Sequence, residues 1–286
     1  MEEKEELVID TIPKLLELIA SVKKSDSNLF FRGQKEKYPN ITPSIDRDGF
    51  LKKEDELFRE FIIRNPDEFR DNKSTFEALT KMQHYGLPTR LLDITTNPLV
   101  ALFFAVEYDE EKEESDGDFI VFDIPNKYIK YYDSDTVSVV SNVVKRPYNK
   151  LDISRSIRDE VEEKEKSKWI RRFNKTTPIE YLLHEIKDEK PYFSHVIDKE
   201  HLESIWCVKP LLNNRRIIKQ DGAFLLFGIN GTKQKLADYR EFKPMQFRVT
   251  NKKLLREQLE LLGLSKDKIY PEMETTAEYL KERYKA

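Results

Sequence analysis

The chain carries only eight glycines in 286 residues, and their spacing removes whole fold classes. They are Gly33, Gly49, Gly86, Gly117, Gly222, Gly228, Gly231 and Gly263. No two lie two apart, so the dinucleotide fingerprint G-x-G-x-x-G is missing. No two lie five apart, which excludes a P-loop, and no two lie four apart, which excludes a G-x-S-x-G elbow. Those motifs need glycine where backbone approaches phosphate or turns sharply. Rossmann dehydrogenases, P-loop enzymes and serine hydrolases are therefore not expected. A nucleotide held by side chains stays open.

Other counts narrow the setting. Aromatic residues are 11% of the chain, enough to argue against global disorder. The single cysteine, Cys207, rules out an internal disulfide and any multi-cysteine metal site. His184-Glu185 is not a zincin motif, because Asp188 stands where the second histidine belongs. No metal is expected. No apolar run reaches the roughly 18 residues of a membrane helix, and Met1 opens a charged stretch unlike a signal peptide. The expected location is cytoplasmic, without membrane contact.

The net charge of −3 hides an asymmetry. Residues 1–143 hold 19 basic and 30 acidic side chains, whereas residues 144–286 hold 31 and 23. Glu107 to Asp118 contains eight acids, and Lys233 to Arg256 contains eight bases. Such runs are usually solvated faces. The alternative for the second is a polyanion surface: Lys233, Lys235, Arg240, Lys243, Arg248, Lys252, Lys253 and Arg256, with nucleic acid as the partner.

Periodicity and punctuation predict the elements. A helix starts at Asp10-Thr11, with Pro13 in its first turn. A strand covers Leu29 to Gln34. Helices follow at Lys53–Arg64 and from Ser74 to near Gly86. Thr89 to Thr95 reads as extended, and Asn97 caps an apolar helix, Leu99 to Val106. Asp118 to Pro125 alternates like a strand, while 126–150 has no clear pattern. A long charged helix is expected over 151–173 and another from Pro178. Strands are expected at Glu203–Val208, Gly222–Phe227 and Met245–Val249, the last pairing with Gly222–Phe227. Helices at about 250–262 and 273–284 close the chain. The expected fold is α+β in a single domain over 1–286. Its N-terminal part, about 1–110, would be helical, and a basic part, about 118–286, would carry the strands. A small, split or mixed β-sheet would be surrounded by many helices.

Three segments put polar side chains into apolar surroundings. In Phe30-Phe31-Arg32-Gly33-Gln34, an arginine on an aromatic strand is costly unless paired. It is either a structural ion pair or a clamp for phosphate or carboxylate. Residues Gln83 to Pro98 (QHYGLPTRLLDITTNP) are dense in hydrogen-bonding groups beside a core helix. They form either a rigidifying network or a lined pocket. Arg90 and Asp93 could pair there, and His84 is either a base or a core histidine. In Asn213 to Phe224 (NNRRIIKQDGAF), a polar turn delivers Gln220 to the mouth of a strand.

Together these segments resemble the FRG domain family, named for a phenylalanine-arginine-glycine motif, here Phe31-Arg32-Gly33. Residues 83–105 look like the family's most typical stretch. The third segment is similar to its N-x-R-I-x-x-Q-x-G-x-F element, and Ile269-Tyr270-Pro271-Glu272-Met273 to its C-terminal turn. The family occurs in bacteria and phages and lends no settled activity. The order Arg32, then Thr89–Thr96, then Gln220 is also similar to the layout of ADP-ribosyltransferases, which bind NAD in a cleft of a split sheet without a glycine fingerprint. That resemblance implies an ADP-ribosyltransferase-like fold with NAD as substrate. Gln220, His84 and Arg32 would act in catalysis, and Arg32, Tyr85, Thr89, Arg90, Asp93 and Thr95 would bind NAD. An active transferase usually has glutamate at the Gln220 position, and another acid such as Asp93 would have to supply the charge. Two expectations follow. One is an NAD-using transferase, a toxin or phage-defence effector acting on nucleic acid or protein. The other is a non-catalytic module that binds a nucleotide or partner.

Overall fold

A computed structural model describes residues 8–24, 26–107, 115–151, 153, 165–229 and 242–283. Strand β1 (Val8–Ile9) leads into helix α1 (Ile12–Val22), whose Leu15 and Leu18 are buried. Strand β2 (Ser27–Gln34) follows. A short 3-10 turn, Ser44–Asp46, and a second, Phe50–Lys53, precede α2 (Glu54–Arg64). Next come α3 (Pro66–Phe69), α4 (Thr75–His84), β3 (Leu91–Thr95) and α5 (Pro98–Ala105). Ser74 caps α4 by accepting from the Glu77 amide, and Asn97 caps α5 by accepting from Leu99 at 3.0 Å. After β4 (Gly117–Pro125) come β5 (Ile129–Tyr131), α6 (Asp135–Ser141), α7 (Lys166–Phe173), α8 (Thr177–Glu189) and α9 (Lys199–Glu203). Strand β6 (Ile205–Lys209), α10 (Arg215–Lys219), β7 (Gly222–Phe227) and β8 (Met245–Val249) complete the sheet. Helices α11 (Lys252–Leu261), α12 (Lys266–Ile269) and α13 (Met273–Arg283) follow.

The architecture is α+β, as expected, but the sheet is large rather than small. Among the described residues, eight strands form one mixed sheet in the order β1-β8-β4-β2-β3-β7-β6-β5. The outer pairs, β1 with β8 and β5 with β6, are parallel, and the other pairings are antiparallel. Strand β8 pairs with β4 and β1 and lies far from β7, which corrects the expected β7–β8 pairing. The helical-then-stranded division also fails, because β1, β2 and β3 all precede residue 110. The stretch 126–150 holds β5 and α6. Of the expected charged helix over 151–173, the described part is α7, and most of the remainder lies outside the described residues.

Apolar clusters cover both faces. One gathers Phe30, Phe76, Met82, Phe122, Val137 and Phe224 under α4 and α6. The other gathers Leu15, Phe31, Ala101, Phe119, Val249 and Leu255 under α1, α5 and α11. A third, with Val143, Leu182, Ile186 and Ile197, packs α8 outside the first layer.

This layering explains the Phe31-Arg32-Gly33 motif. Strand side chains alternate, so Phe31 enters the α5 cluster while Arg32 shares the Phe30 side. Gly33 lies directly under α5: a Cβ there would sit 1.7 Å from the Ala101 carbonyl oxygen. The glycine is required by backbone contact, not by an unusual φ.

Strand β2 meets β4 over eight residue pairs but touches β3 through one, Phe31 with Thr95. The two strands diverge beyond that point. In the gap, Arg32 Nη1 donates to the Asp93 carbonyl at 2.7 Å, in place of a ladder bond.

Candidate polar cleft between α4, β3, α10 and β7

The divergence of β2 from β3 leaves the exposed Asp93 edge of β3 accessible from the α4 side. A cleft of about 70 Å³ opens there. One wall comes from Thr80, Gln83, His84, Asp93 and Ile94. The other comes from Asn214, Arg216, Ile217, Gln220 and the start of β7, Gly222 to Phe224. Two sequence segments more than a hundred residues apart therefore share one site.

Gln83 organises the first wall. Its Nε2 donates to Asp93 Oδ2 at 2.7 Å, and its Oε1 accepts from the Thr89 hydroxyl. Thr89 is 1% exposed and also accepts from the Leu91 amide at 3.2 Å. A relay from Thr89 through Gln83 to Asp93 thus fixes the carboxylate, while Arg32 holds the same residue's carbonyl. Burial, reinforced by the Arg216 charge, pushes the His84 imidazole below its ordinary pKa, with Glu272 opposing. His84 is accordingly neutral at pH 7, and its Nδ1 is buried without a hydrogen-bond partner.

The second wall is built by a short helix and a strained turn. Asn214 Oδ1 accepts from the Arg216 amide at 2.8 Å and starts α10. Gln220 is the C-cap of α10, one residue before the turn. Its Nε2 donates to the Ile269 carbonyl at 3.2 Å. Asp221 has φ +45°, an uncommon value for a non-glycine residue. Its Oδ2 accepts from Asn97 Nδ2 at 3.0 Å, and its carbonyl accepts from the Thr96 amide at 3.1 Å. Arg216 lies over Tyr270, its guanidinium carbon 5.2 Å from the ring centroid. Tyr270 Oη donates to Glu107 Oε1 at 2.8 Å. Burial raises the pKa of both, and each is protonated more readily than in water. Among the described residues, the Arg216 guanidinium forms no ion pair.

The expected site residues divide into two groups. His84, Asp93 and Gln220 line the cleft together. Arg32 stands beside it through Asp93. Thr89 supports the wall from inside. Thr95 is 5% exposed and donates to the Gln220 carbonyl at 2.6 Å, so it stitches β3 to the turn before β7. Tyr85 is the exposed C-cap of α4 and does not line the cleft.

Arg90 requires the clearest reassignment. It does not pair with Asp93. Only 2% exposed, it donates from Nε and Nη2 to the two carboxylate oxygens of Glu54, and from Nη1 to the Phe227 carbonyl at 2.9 Å. It ties α2 to β3 and β7 and has no role at the cleft surface. Burial and the nearby Glu54 raise the neighbouring Asp46 to about 6, against the opposing Arg90 charge.

Sequence reasoning did not single out Arg216, and named Gln83 only as part of a motif. The basic run also changes character. Lys233, Lys235 and Arg240 lie outside the described residues. Lys252 is 4% exposed, with Nζ donating to the Lys35 carbonyl at 2.6 Å. Arg256 donates to the Val106 carbonyl at 2.7 Å, and Arg248 reaches Asp116 at 3.4 Å. Much of the run cross-links the fold. Lys243 and Lys253 are exposed.

Fold and site together define an α+β domain with a polar, side-chain-lined cleft on one sheet face. Residues 27–114 match the family model of the FRG domain. The match spans β2 to α5 and contains the first wall of the cleft. The second wall lies beyond it. No curated protein and no solved structure matches the chain. Among the described residues, no helix is long and apolar enough to cross a membrane.

Proposed function

We propose that the chain is a nucleotide-binding FRG module, with NAD the first ligand to test. One observation carries the reading. Gln83, Asp93, His84, Arg216 and Gln220 converge on one cleft from two distant segments. A carboxylate and two amides can read the edge of a base or a nicotinamide, and a guanidinium that forms no salt bridge among the described residues can hold an anion. The cleft's volume, about 70 Å³, is far below the roughly 300–1,000 Å³ of pockets that engulf a drug-sized ligand. It admits one end of a dinucleotide and leaves the rest outside.

A second reading, an ADP-ribosyltransferase-like enzyme, is favoured by the presence of Asp93 in the same cleft as Gln220. Gln220 is neutral, and Asp93 would supply the negative charge facing an oxocarbenium-like centre. His84, being neutral, would act as an acceptor there. The basic residues Lys243 and Lys253 would belong to a nucleic-acid target surface, and a toxin or defence effector would follow from such an activity.

The test is direct. NAD and AMP are titrated into the protein, with melting temperature and calorimetry as readouts. The binding module predicts a concentration-dependent rise in melting temperature with no free nicotinamide. The enzyme predicts nicotinamide release that Asp93→Asn abolishes while binding persists. Neither stabilisation nor release with either nucleotide contradicts both readings.

A further inference from the structure

The hydrogen bonds that build the cleft also fix the polarity it offers a ligand. A glutamine amide can ordinarily turn either its oxygen or its NH2 toward a site. Neither glutamine of this cleft has that freedom. A carboxylate oxygen accepts, so Gln83 turns Nε2 to Asp93 Oδ2, 2.7 Å away. Its Oε1 then takes the Thr89 hydroxyl hydrogen, and Thr89 Oγ1 itself accepts from the Leu91 amide at 3.2 Å. Both ends of Gln83 are thereby used inside the wall. Gln220 must turn Nε2 toward the Ile269 carbonyl, 3.2 Å away, because a carbonyl only accepts. Its Oε1 is left over, and so is Asp93 Oδ1: among the described residues neither oxygen has a hydrogen-bond partner. The Thr80 hydroxyl donates to the Glu77 carbonyl at 2.8 Å, so it too meets a ligand as an acceptor. The donors come from α10. Asn214 spends Oδ1 on the Arg216 amide, which leaves its Nδ2, and the Arg216 guanidinium can only donate. His84, a neutral imidazole with one N–H and one acceptor, can serve either polarity. The cleft thus sets acceptors on the α4–β3 wall and at Gln220 against donors on α10.

We propose that the cleft selects a planar ring bearing an NH2 group next to an acceptor, and rejects the same ring with oxygen in place of that NH2. The inference rests on the reading of the cleft as a nucleotide site and names the group that the site recognises. The NH2 faces Asp93 Oδ1 and Gln220 Oε1, and the adjoining acceptor takes a hydrogen bond from Asn214 or Arg216. Two parts of NAD carry that pair of groups: the 6-amino group of adenine beside a ring nitrogen, and the carboxamide of nicotinamide. Their oxygen counterparts, hypoxanthine and nicotinate, would set an oxygen lone pair against Asp93, which repels it instead of bonding.

Two pairs of mononucleotides test it by calorimetry: AMP against IMP, and nicotinamide mononucleotide against nicotinic acid mononucleotide. Each pair shares its ribose phosphate and differs at the NH2. The wild type should bind the NH2 member of at least one pair about tenfold or more tightly than its oxygen counterpart, the scale of one hydrogen bond to a charged group. A preference within the first pair identifies adenine as the end that enters, and within the second, nicotinamide. Asp93→Asn should reverse that preference. Gln83 Nε2 would hold the oxygen of the substituted side chain, which turns its NH2 into the cleft where Oδ1 stood. Asp93 is exposed and the Gln83 bond survives, so Asp93→Asn should keep the wild-type melting temperature without ligand. Arg216 still retains nucleotide in the variant, so the readout is the ratio of affinities within a pair. A wild-type ratio at or below one in both pairs overturns the selectivity and leaves the nucleotide reading standing. So does an unchanged ratio in Asp93→Asn, the result that a merely structural Asp93 would give. Failure of all these mononucleotides to bind the wild type overturns both.

Discussion

Arg90 and Arg216 are both arginines in motif segments, and the fold treats them in opposite ways. Arg90 is sealed between α2 and β7, with both carboxylate oxygens of Glu54 and the Phe227 carbonyl occupying its donors. Arg216 lies at the cleft, stacked over Tyr270 and without an ion pair among the described residues. The first is a bolt: the guanidinium's geometry is spent on another part of the same chain. The second keeps its geometry available. A motif arginine is therefore not a ligand arginine by type. What matters is whether a carboxylate of the fold reaches it first, and Glu54 reaches Arg90.

The largest effect expected from this contrast is on stability. Arg90→Ala strands a buried Glu54 carboxylate and should cost about 3–5 kcal/mol, a loss that prevents folding in a marginal domain. A chemical denaturation curve measures it. An Arg90→Ala protein as stable as wild type would erase the distinction between the two arginines. Next comes Gln83→Ala, which removes the link between Thr89 and Asp93. Leaving those groups unpaired should cost about 1–3 kcal/mol and weaken ligand binding as well. Loss of binding with full stability would mean that Gln83 contacts ligand and does not brace the wall.

Arg216→Ala should lose no more than about 1 kcal/mol, the scale of its stacking on Tyr270, while abolishing the nucleotide-dependent rise in melting temperature. That pairing of outcomes is the inverse of Arg90→Ala. The smallest effect is pH-dependent. The folded protein holds Asp46 near 6, above the ordinary aspartate value of 3.8, so ionising it costs stability as pH rises through that interval. Asp46→Asn should raise the melting temperature at pH 7.5 and leave it unchanged at pH 3.5. His84 gives the opposite sign. Its pKa is lowered on folding, so stability falls as pH drops below the ordinary histidine range, and His84→Gln should flatten the curve between pH 7 and 5.

The two arginines also show what the sequence could and could not convey. The motif strand, the helix from Pro98 and the α4 cap at Ser74 were legible because each is local: aromatic alternation, a proline after asparagine, a serine before an apolar period. The partner of Arg90 was not legible. Glu54 sits 36 residues away in the first turn of α2, followed by Asp55 and Glu56, where acids ordinarily mark a solvated helix start. Sheet size was hidden for a different reason. Strands β1 and β5 have two and three residues, too few for a period of two to register. The β8 pairing was misassigned because adjacency in a sheet of this topology does not follow adjacency in the chain. At the site, Asp93 and Gln220 were each visible, but their meeting depends on β3 pairing with β7, which brings Asp93 opposite Phe224. Arg216 carried no local signal beyond charge.

The most direct test of the account is calorimetric titration of NAD and AMP into wild type and Arg216→Ala, with melting temperatures of both proteins measured without ligand. The account predicts binding of at least one nucleotide to wild type, at least tenfold weaker binding to Arg216→Ala, and ligand-free melting temperatures that nearly coincide. Failure of both nucleotides to bind wild type, or equal binding by the two proteins, would contradict it.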